Sequence, residues 1–138
     1  MKVPNIVGVS FISGTIIREQ CTVVPSRQLI YVPSTARLTP LCTVGLAALD
    51  HTDTVQNGER IHTIKLTATL RERVAVPSGS SVVATTASGF SYVIGGGQRP
   101  FPLVTQQDHR ADRPGERSAV TLTVELTSST PLLAVVEA

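Results

Sequence analysis

The sequence predicts a single all-β domain over residues 1–138, mainly antiparallel, with about eight to ten strands forming a β-sandwich or a partly closed β-barrel. Valine and threonine, with 18 and 17 residues, make up a quarter of the chain. Both are β-branched, which restricts their side-chain torsions and suits them to a pleated surface. Ten glycines and nine prolines interrupt the chain at intervals, as turns between short strands require.

The first third of the chain predicts three strands. The first covers residues 5–12, and a turn at Ser13-Gly14 leads to a second over residues 15–24. A short third strand covers residues 28–33. The face of the first strand that we expect to point inward, because it is wholly apolar, consists of Val7, Val9 and Phe11.

Residues 33–50 are compatible with two structures. Thr39-Pro40 resembles a helix start, which would give a short helix over Leu41–Leu49. The alternative is a strand over Cys42–Ala48. We favour the strand, because Gly45 and the β-branched residues beside it weaken the helix prediction.

Residues 60–72 predict the clearest strand, and residues 50–59 before it predict a polar loop containing the turn dipeptide Asn57-Gly58. Apolar and polar residues alternate along this strand, so one side must be buried. The expected inward residues are His62, Ile64, Leu66, Ala68 and Leu70.

Residues 119–126 repeat this alternation, and the two strands are expected either to pair or to face each other across a core. The inward residues of this strand are Val120, Leu122, Val124 and Leu126. Further strands are predicted over residues 81–86 and 132–136.

Ser88–Gln107 predicts a β-hairpin, with strands on either side of a turn at Gly95–Gly97. Pro100 and Pro102 lack a main-chain N–H, so we expect the returning strand to lie at a sheet edge. An edge in so lightly charged a chain is a candidate contact with other subunits. The candidate residues are Arg99, Pro100, Phe101 and Pro102.

Residues 108–117 are the most charged run, with alternating signs and a turn at Pro114-Gly115. The run is expected to be a solvated loop tip or, alternatively, a recognition loop, since polar loops on rigid β scaffolds often carry binding. Opposite charges could also fix the register of an adjacent subunit. The candidate recognition residues are Asp108, His109, Arg110, Asp112 and Arg113.

No motif predicts catalysis, a metal or a cofactor, and we expect the protein not to be an enzyme. The glycine triplet is not followed by a helix, as a phosphate-binding loop requires. His51, Asp53, His62 and His109 match no standard zinc spacing, and His62 is expected to be a structural residue. Cys21 and Cys42 are expected to be buried thiols.

Composition also bears on partners and location. A net charge of +2 without a basic stripe argues against nucleic-acid binding. No apolar run reaches the ~20 residues of a membrane helix, and the N-terminal residues lack a signal peptide, so we expect synthesis in the cytoplasm and no membrane partner. Glycan binding, the alternative function, requires exposed aromatic residues, and the chain has five aromatics and no Trp.

Low charge favours self-association. Charged residues make up 16% of the chain, against about 25% in ordinary soluble domains. Apolar atoms and small polar residues must therefore cover much of the surface, as in proteins that bury surface against copies of themselves or other structural subunits.

The second half resembles small all-β proteins of the neck and tail of bacteriophage and prophage virions. The resembling residues are Phe90–Gly95, then Arg99–Thr105, a charged loop, and the alternating strand Ser118–Leu126 with a short apolar C-terminus. The resemblance covers about fifty residues and consists of strand layout and turn residues. It implies a non-enzymatic subunit of a ring or a minor structural component of a virion.

Overall fold

The computed structural model describes residues 2–33, 37–41, 43–76, 79–96, 101–109 and 119–137. These residues form eleven strands, one seven-residue α-helix and one 3-10 turn, Pro25–Arg27. In chain order the helix and strands are β1 (Lys2–Ser13), α1 (Gly14–Gln20), β2 (Thr22–Val24), β3 (Leu29–Val32), β4 (Leu38–Pro40), β5 (Ala47–Gln56), β6 (Glu59–Leu70), β7 (Ser80–Thr86), β8 (Ser91–Ile94), β9 (Leu103–His109), β10 (Ala119–Ser128) and β11 (Leu133–Glu137). No helix in the described part of the chain is long and apolar enough to cross a membrane.

All eleven strands belong to one mixed sheet, which curls into a half-barrel. Its order is β2-β3-β11-β8-β7-β1-β5-β6-β10-β9, and β4 pairs with β1 outside this path. Among the described pairings only β11 with β3 is parallel. The predicted all-β, mainly antiparallel fold is confirmed, in its partly closed barrel form.

The core has two parts, on opposite faces of the sheet. The larger cluster fills the inward face of β1, β5, β6, β7, β8 and β10. The smaller one lies on the other face, where Ile17 of α1 and Ile30 of β3 pack against it. Successive residues such as Val82 and Val83 belong to different clusters, so β7 is buried on both faces.

β6 and β10 pair with each other, with Leu70 opposite Val120 and Leu66 opposite Val124. Of the two arrangements expected from the sequence, pairing is therefore the one that the structure shows. Every predicted inward residue of both strands is buried. Burial of each leucine or isoleucine side chain contributes roughly 1.5–3 kcal/mol, so this pair of strands contributes much of the stability of the larger cluster.

The predicted inward face of β1 is wrong at Val7, which is 47% exposed, while Ile6 beside it is 1% exposed. The register shifts on both sides of Ile6, in the pairings with β5 and β7. Asn5 lies there at a φ of 59°. An extra residue in one strand reverses which side chains face the core, and Ile6 takes the inward place.

The strand predicted over residues 15–24 is wrong for its first part, because residues 14–20 form α1. Ser13 caps this helix, its hydroxyl accepting from the Thr15 main-chain N–H at 3.2 Å. Ile17 is buried in the smaller cluster. Only Thr22–Val24 remains strand, whereas the predicted strand over residues 28–33 is confirmed as β3.

The helix predicted over Leu41–Leu49 is wrong, and of the strand predicted over Cys42–Ala48 only Ala47 and Ala48 are strand, at the start of β5; Cys42 lies outside the described residues. Leu38–Pro40 pairs with β1 as β4, and β5 runs through Gln56, so the polar loop predicted over residues 50–59 is also wrong. The turn at Asn57-Gly58 is confirmed, with φ values of 51° and 80°. Two positive φ values at the centre of a two-residue loop match the twist of the strands that it joins.

The predicted hairpin across Gly95–Gly97 is wrong. β8 pairs with β7 and β11, whereas β9 pairs with β10 on the far side of the half-barrel. The chain turns at Gly95, whose φ is 101°, and Pro102 then packs against Gly95. The strands predicted over residues 81–86 and 132–136 are confirmed as β7 and β11.

Candidate assembly edge

β9 and β2 lie at the two ends of the strand order and differ in their protection. β2 has three residues and is followed by Pro25, and a short edge next to proline resists pairing with another chain. β9 has seven residues, and Leu103–Gln107 contains no charged residue and no proline. The expectation that this strand lies at a sheet edge is confirmed.

The solvent-facing side of β9 is apolar or neutral. Leu103 is 62% exposed and lies opposite Glu125 of β10. Thr105 and Gln107 are also exposed, and Val104 packs against the larger core cluster. β9 is therefore held on its inward face, while its outer face lacks charges between Leu103 and Gln107.

A short segment, residues 71–76, fixes β9 from the inward side. The side-chain amide of Gln106 donates to the Val74 carbonyl at 2.9 Å and accepts from the Val74 N–H at 3.0 Å. Arg73 donates to the main-chain carbonyl of Gln106 at 3.2 Å. An open cleft of about 360 Å³ lies between this segment and Pro40–Leu41.

Phe101 and Pro102, two of the candidate contact residues, are half-buried within the chain. A Cβ built on Gly79 would lie 3.7 Å from the Phe101 ring, and one on Gly95 would lie 3.0 Å from Pro102. These two residues thus anchor the chain that leads into β9.

Of the other candidate contact and recognition residues, the structure describes only Asp108 and His109. Asp108 and His109 end β9, where their main chains lie opposite Val120 and Ala119. The first two residues of the charged run are therefore strand rather than the predicted loop. The candidates that lie outside the described residues are Arg99, Pro100, Arg110, Asp112 and Arg113.

A second feature, a buried histidine pair, joins β5 to β6. His51 Nε2 and His62 Nδ1 are 2.9 Å apart, and the ring centroids are 5.1 Å apart. The two residues are 9% and 6% exposed. Burial lowers the pKa of His51, and His62 lowers that pKa further, whereas Asp53 acts in the opposite direction. The arrangement suits two neutral rings, one donating and the other accepting.

The sequence contained a signal for this pair that the prediction did not use. A two-residue turn at Asn57-Gly58 places Gln56 opposite Glu59, and counting back from it places Asp53 opposite His62. His51 is then the diagonal neighbour of His62 on the same face. The signal was missed because residues 50–59 were predicted to be a loop. The inward position of His62 itself was predicted correctly.

The described residues contain no group of three or more histidine, cysteine, aspartate or glutamate side chains that could hold a metal. Cys21 is a free thiol, half-buried rather than buried as predicted, and burial raises its pKa. Cys42 lies outside the described residues. A scan against models of protein families, a search of curated proteins and a search of solved structures found no match to this chain.

Proposed function

We propose that the protein is a non-enzymatic structural subunit that assembles with copies of itself by adding strands to β9. The observation that supports this most strongly is the position of β9 at the end of the strand order of the described residues, with seven residues and no charge or proline from Leu103 to Gln107. An edge strand offers main-chain donors and acceptors along a line, and these pair readily with another extended chain.

Pairing of β9 with the β9 of a second copy would join two half-barrels into one continuous sheet. A contact of this kind uses the same surface on both copies and closes about a two-fold axis. Leu103, exposed at the start of the strand, would lose water on assembly. The low charge of the chain reduces repulsion between copies.

A virion component, in a ring or as a minor structural part, is the setting that we propose for this assembly. Its support is the resemblance of the second half of the chain, from Phe90 through the short apolar C-terminus, to neck and tail proteins. The charged run over residues 108–117 begins within the edge strand, so Asp108 and His109 would lie beside a partner added there.

Glycan binding receives less support from the aromatic residues, all five of which the structure describes. Tyr31 and Tyr92 are half-buried, and Phe11 is buried in the core. Phe101 packs over Gly79. Phe90 is 67% exposed, and it is the one exposed side chain among the five aromatics. Sugar rings usually bind to a larger aromatic platform than one ring provides.

Sedimentation velocity over an approximately hundredfold range of protein concentration tests the proposal. We expect the native chain to form an oligomer and Leu103→Lys to shift it toward the monomer, because a charged edge residue opposes strand addition. The new lysine would lie opposite Glu125, so the fold should tolerate it.

Leu46→Lys is the matched control. Leu46 is also 62% exposed, and it lies in the chain before β5 rather than on an edge. This variant should associate like the native chain. A native chain that stays monomeric over the whole range, or equal dissociation of both variants, would rule the proposal out.

A further inference from the structure

We propose that His51 and His62 form an acid-sensitive switch, which joins the two strands of the β5–β6 hairpin at neutral pH and loosens the outer part of the hairpin when the pair is protonated. The inference is independent of the assembly at β9. It depends on where the pair lies and on what surrounds it.

The geometry of the pair allows one hydrogen between the two rings. His51 Nε2 and His62 Nδ1 are 2.9 Å apart, so one of them must accept while the other donates. A first added proton places a positive charge on rings that are more than nine-tenths buried. A second added proton points two N–H groups at each other and breaks the bond.

Neutral residues face the pair from β10, and the charged groups near it act on the pKa of His51 in both directions. On β10, Ser128 lies opposite His62, and the next residue on the same face of β10 is the apolar Leu126. Leu126 and Val3 of β1 both belong to the larger core cluster. Asp53 favours the charged form of His51, and its Oδ2 also accepts from Arg60 at 2.6 Å. The positive amino terminus adds a further small repulsion to protonation of His51.

The pair is also the last buried contact before the hairpin turn. Every residue from Thr52 to Arg60 is exposed, whereas Leu49 and Ile64 on the other side of the pair are fully buried. Loss of the His51–His62 bond would therefore remove the outermost buried contact between the two strands of the hairpin.

The direction of the pH effect follows from the pKa of His51, which burial, then His62, hold below its ordinary value of about 6.5. The unfolded chain binds this proton more readily than the folded chain. The stability contributed by the neutral pair is thus complete above about pH 6.5 and is lost as the pH falls below it.

Amide hydrogen exchange, corrected for the intrinsic effect of pH, measures the release directly. Between about pH 7.5 and about pH 5, we expect protection of the amides from His51 to His62 to fall at least about tenfold, while amides of β7 change little. The midpoint of thermal unfolding should fall by roughly 5 °C or more over the same range.

The double variant His51→Gln with His62→Asn replaces the rings by amides that hydrogen-bond but do not titrate. It should lose the pH dependence of both measurements. His109→Gln, which removes the third histidine and leaves the pair intact, should keep it. The same acid response in the double variant as in the native chain would overturn the proposal.

Imidazole ¹⁵N shifts of the native protein provide a readout that does not depend on any variant folding. The proposal predicts that His51 titrates well below the range of an exposed histidine. Titration of His51 near pH 6.5 or above would also overturn it.

Discussion

The side-chain amide of Gln106 pairs with both main-chain groups of Val74, donating at 2.9 Å and accepting at 3.0 Å. It joins β9 to residues 71–76, which share no strand pairing with β9. Gln106→Leu should therefore lower the free energy of unfolding by about 1–3 kcal/mol, because two partly buried main-chain groups lose their partner.

Urea denaturation at low protein concentration measures this loss. Gln107→Leu is the control, because Gln107 is the neighbouring exposed residue and should change stability by less than about 0.5 kcal/mol. Equal effects of the two substitutions would show that the pairing with Val74 contributes nothing.

Gly95 must lack a side chain for two separate reasons. Its φ is 101°, and a Cβ there would lie 2.9 Å from Ser81 Oγ and 3.0 Å from the Pro102 ring. Gly58 has a similar φ of 80° with nothing within 4 Å. We expect Gly58→Ala to cost about 1 kcal/mol from backbone strain alone, and Gly95→Ala to cost at least about 2 kcal/mol more. Thermal unfolding of both variants checks the difference, and equal costs would contradict the close packing of Pro102.

Ser81 is a buried polar group whose hydroxyl has no hydrogen-bond partner among the described residues. Ser81→Ala should leave stability unchanged or raise it by up to about 1 kcal/mol, since it removes an unpaired buried hydroxyl. Ser91→Ala is the control, because the Ser91 hydroxyl lies 3.2 Å from Thr85 Oγ1 and should lose that bond at a cost of about 0.5–1 kcal/mol. A clear loss of stability in Ser81→Ala would indicate a partner for its hydroxyl.

Asp53 favours the charged form of His51, and its removal should make the chain more sensitive to acid. In Asp53→Asn the pKa of folded His51 falls further below that of the unfolded chain, so more stability is lost on going from about pH 7 to about pH 5. The ion pair with Arg60 is largely exposed, so stability at neutral pH should change by less than about 1 kcal/mol. Unfolding measured at both pH values tests this, and an acid sensitivity equal to or lower than that of the native chain would contradict it.

The parts of the fold that local pattern determines were predictable. β6 and β10 alternate without interruption and are buried on one face, so their inward residues could be named from the sequence. The turn at Asn57-Gly58 was also predictable, because few other dipeptides accept two positive φ values.

The errors have physical causes that a local pattern does not record. The bulge around Asn5 reverses the faces of β1, and the short helix α1 is fixed by burial of Ile17 against a distant strand cluster. The pairing of β8 with β7 and β11 is a choice among distant partners, which turn residues do not specify. Of the candidate site, the edge position of β9 was predicted, whereas the His51–His62 pair was not.

The most direct test of the assembly proposal is amide hydrogen exchange of β9 and β2 as a function of protein concentration. If copies pair through β9, amides of Leu103–Gln107 that point to the free edge become protected as concentration rises, while those of β2, the opposite edge, do not change. Leu103→Lys should remove this dependence and Leu46→Lys should keep it. Exchange at β9 that is independent of concentration, in a protein that nevertheless associates, would contradict assembly at this edge.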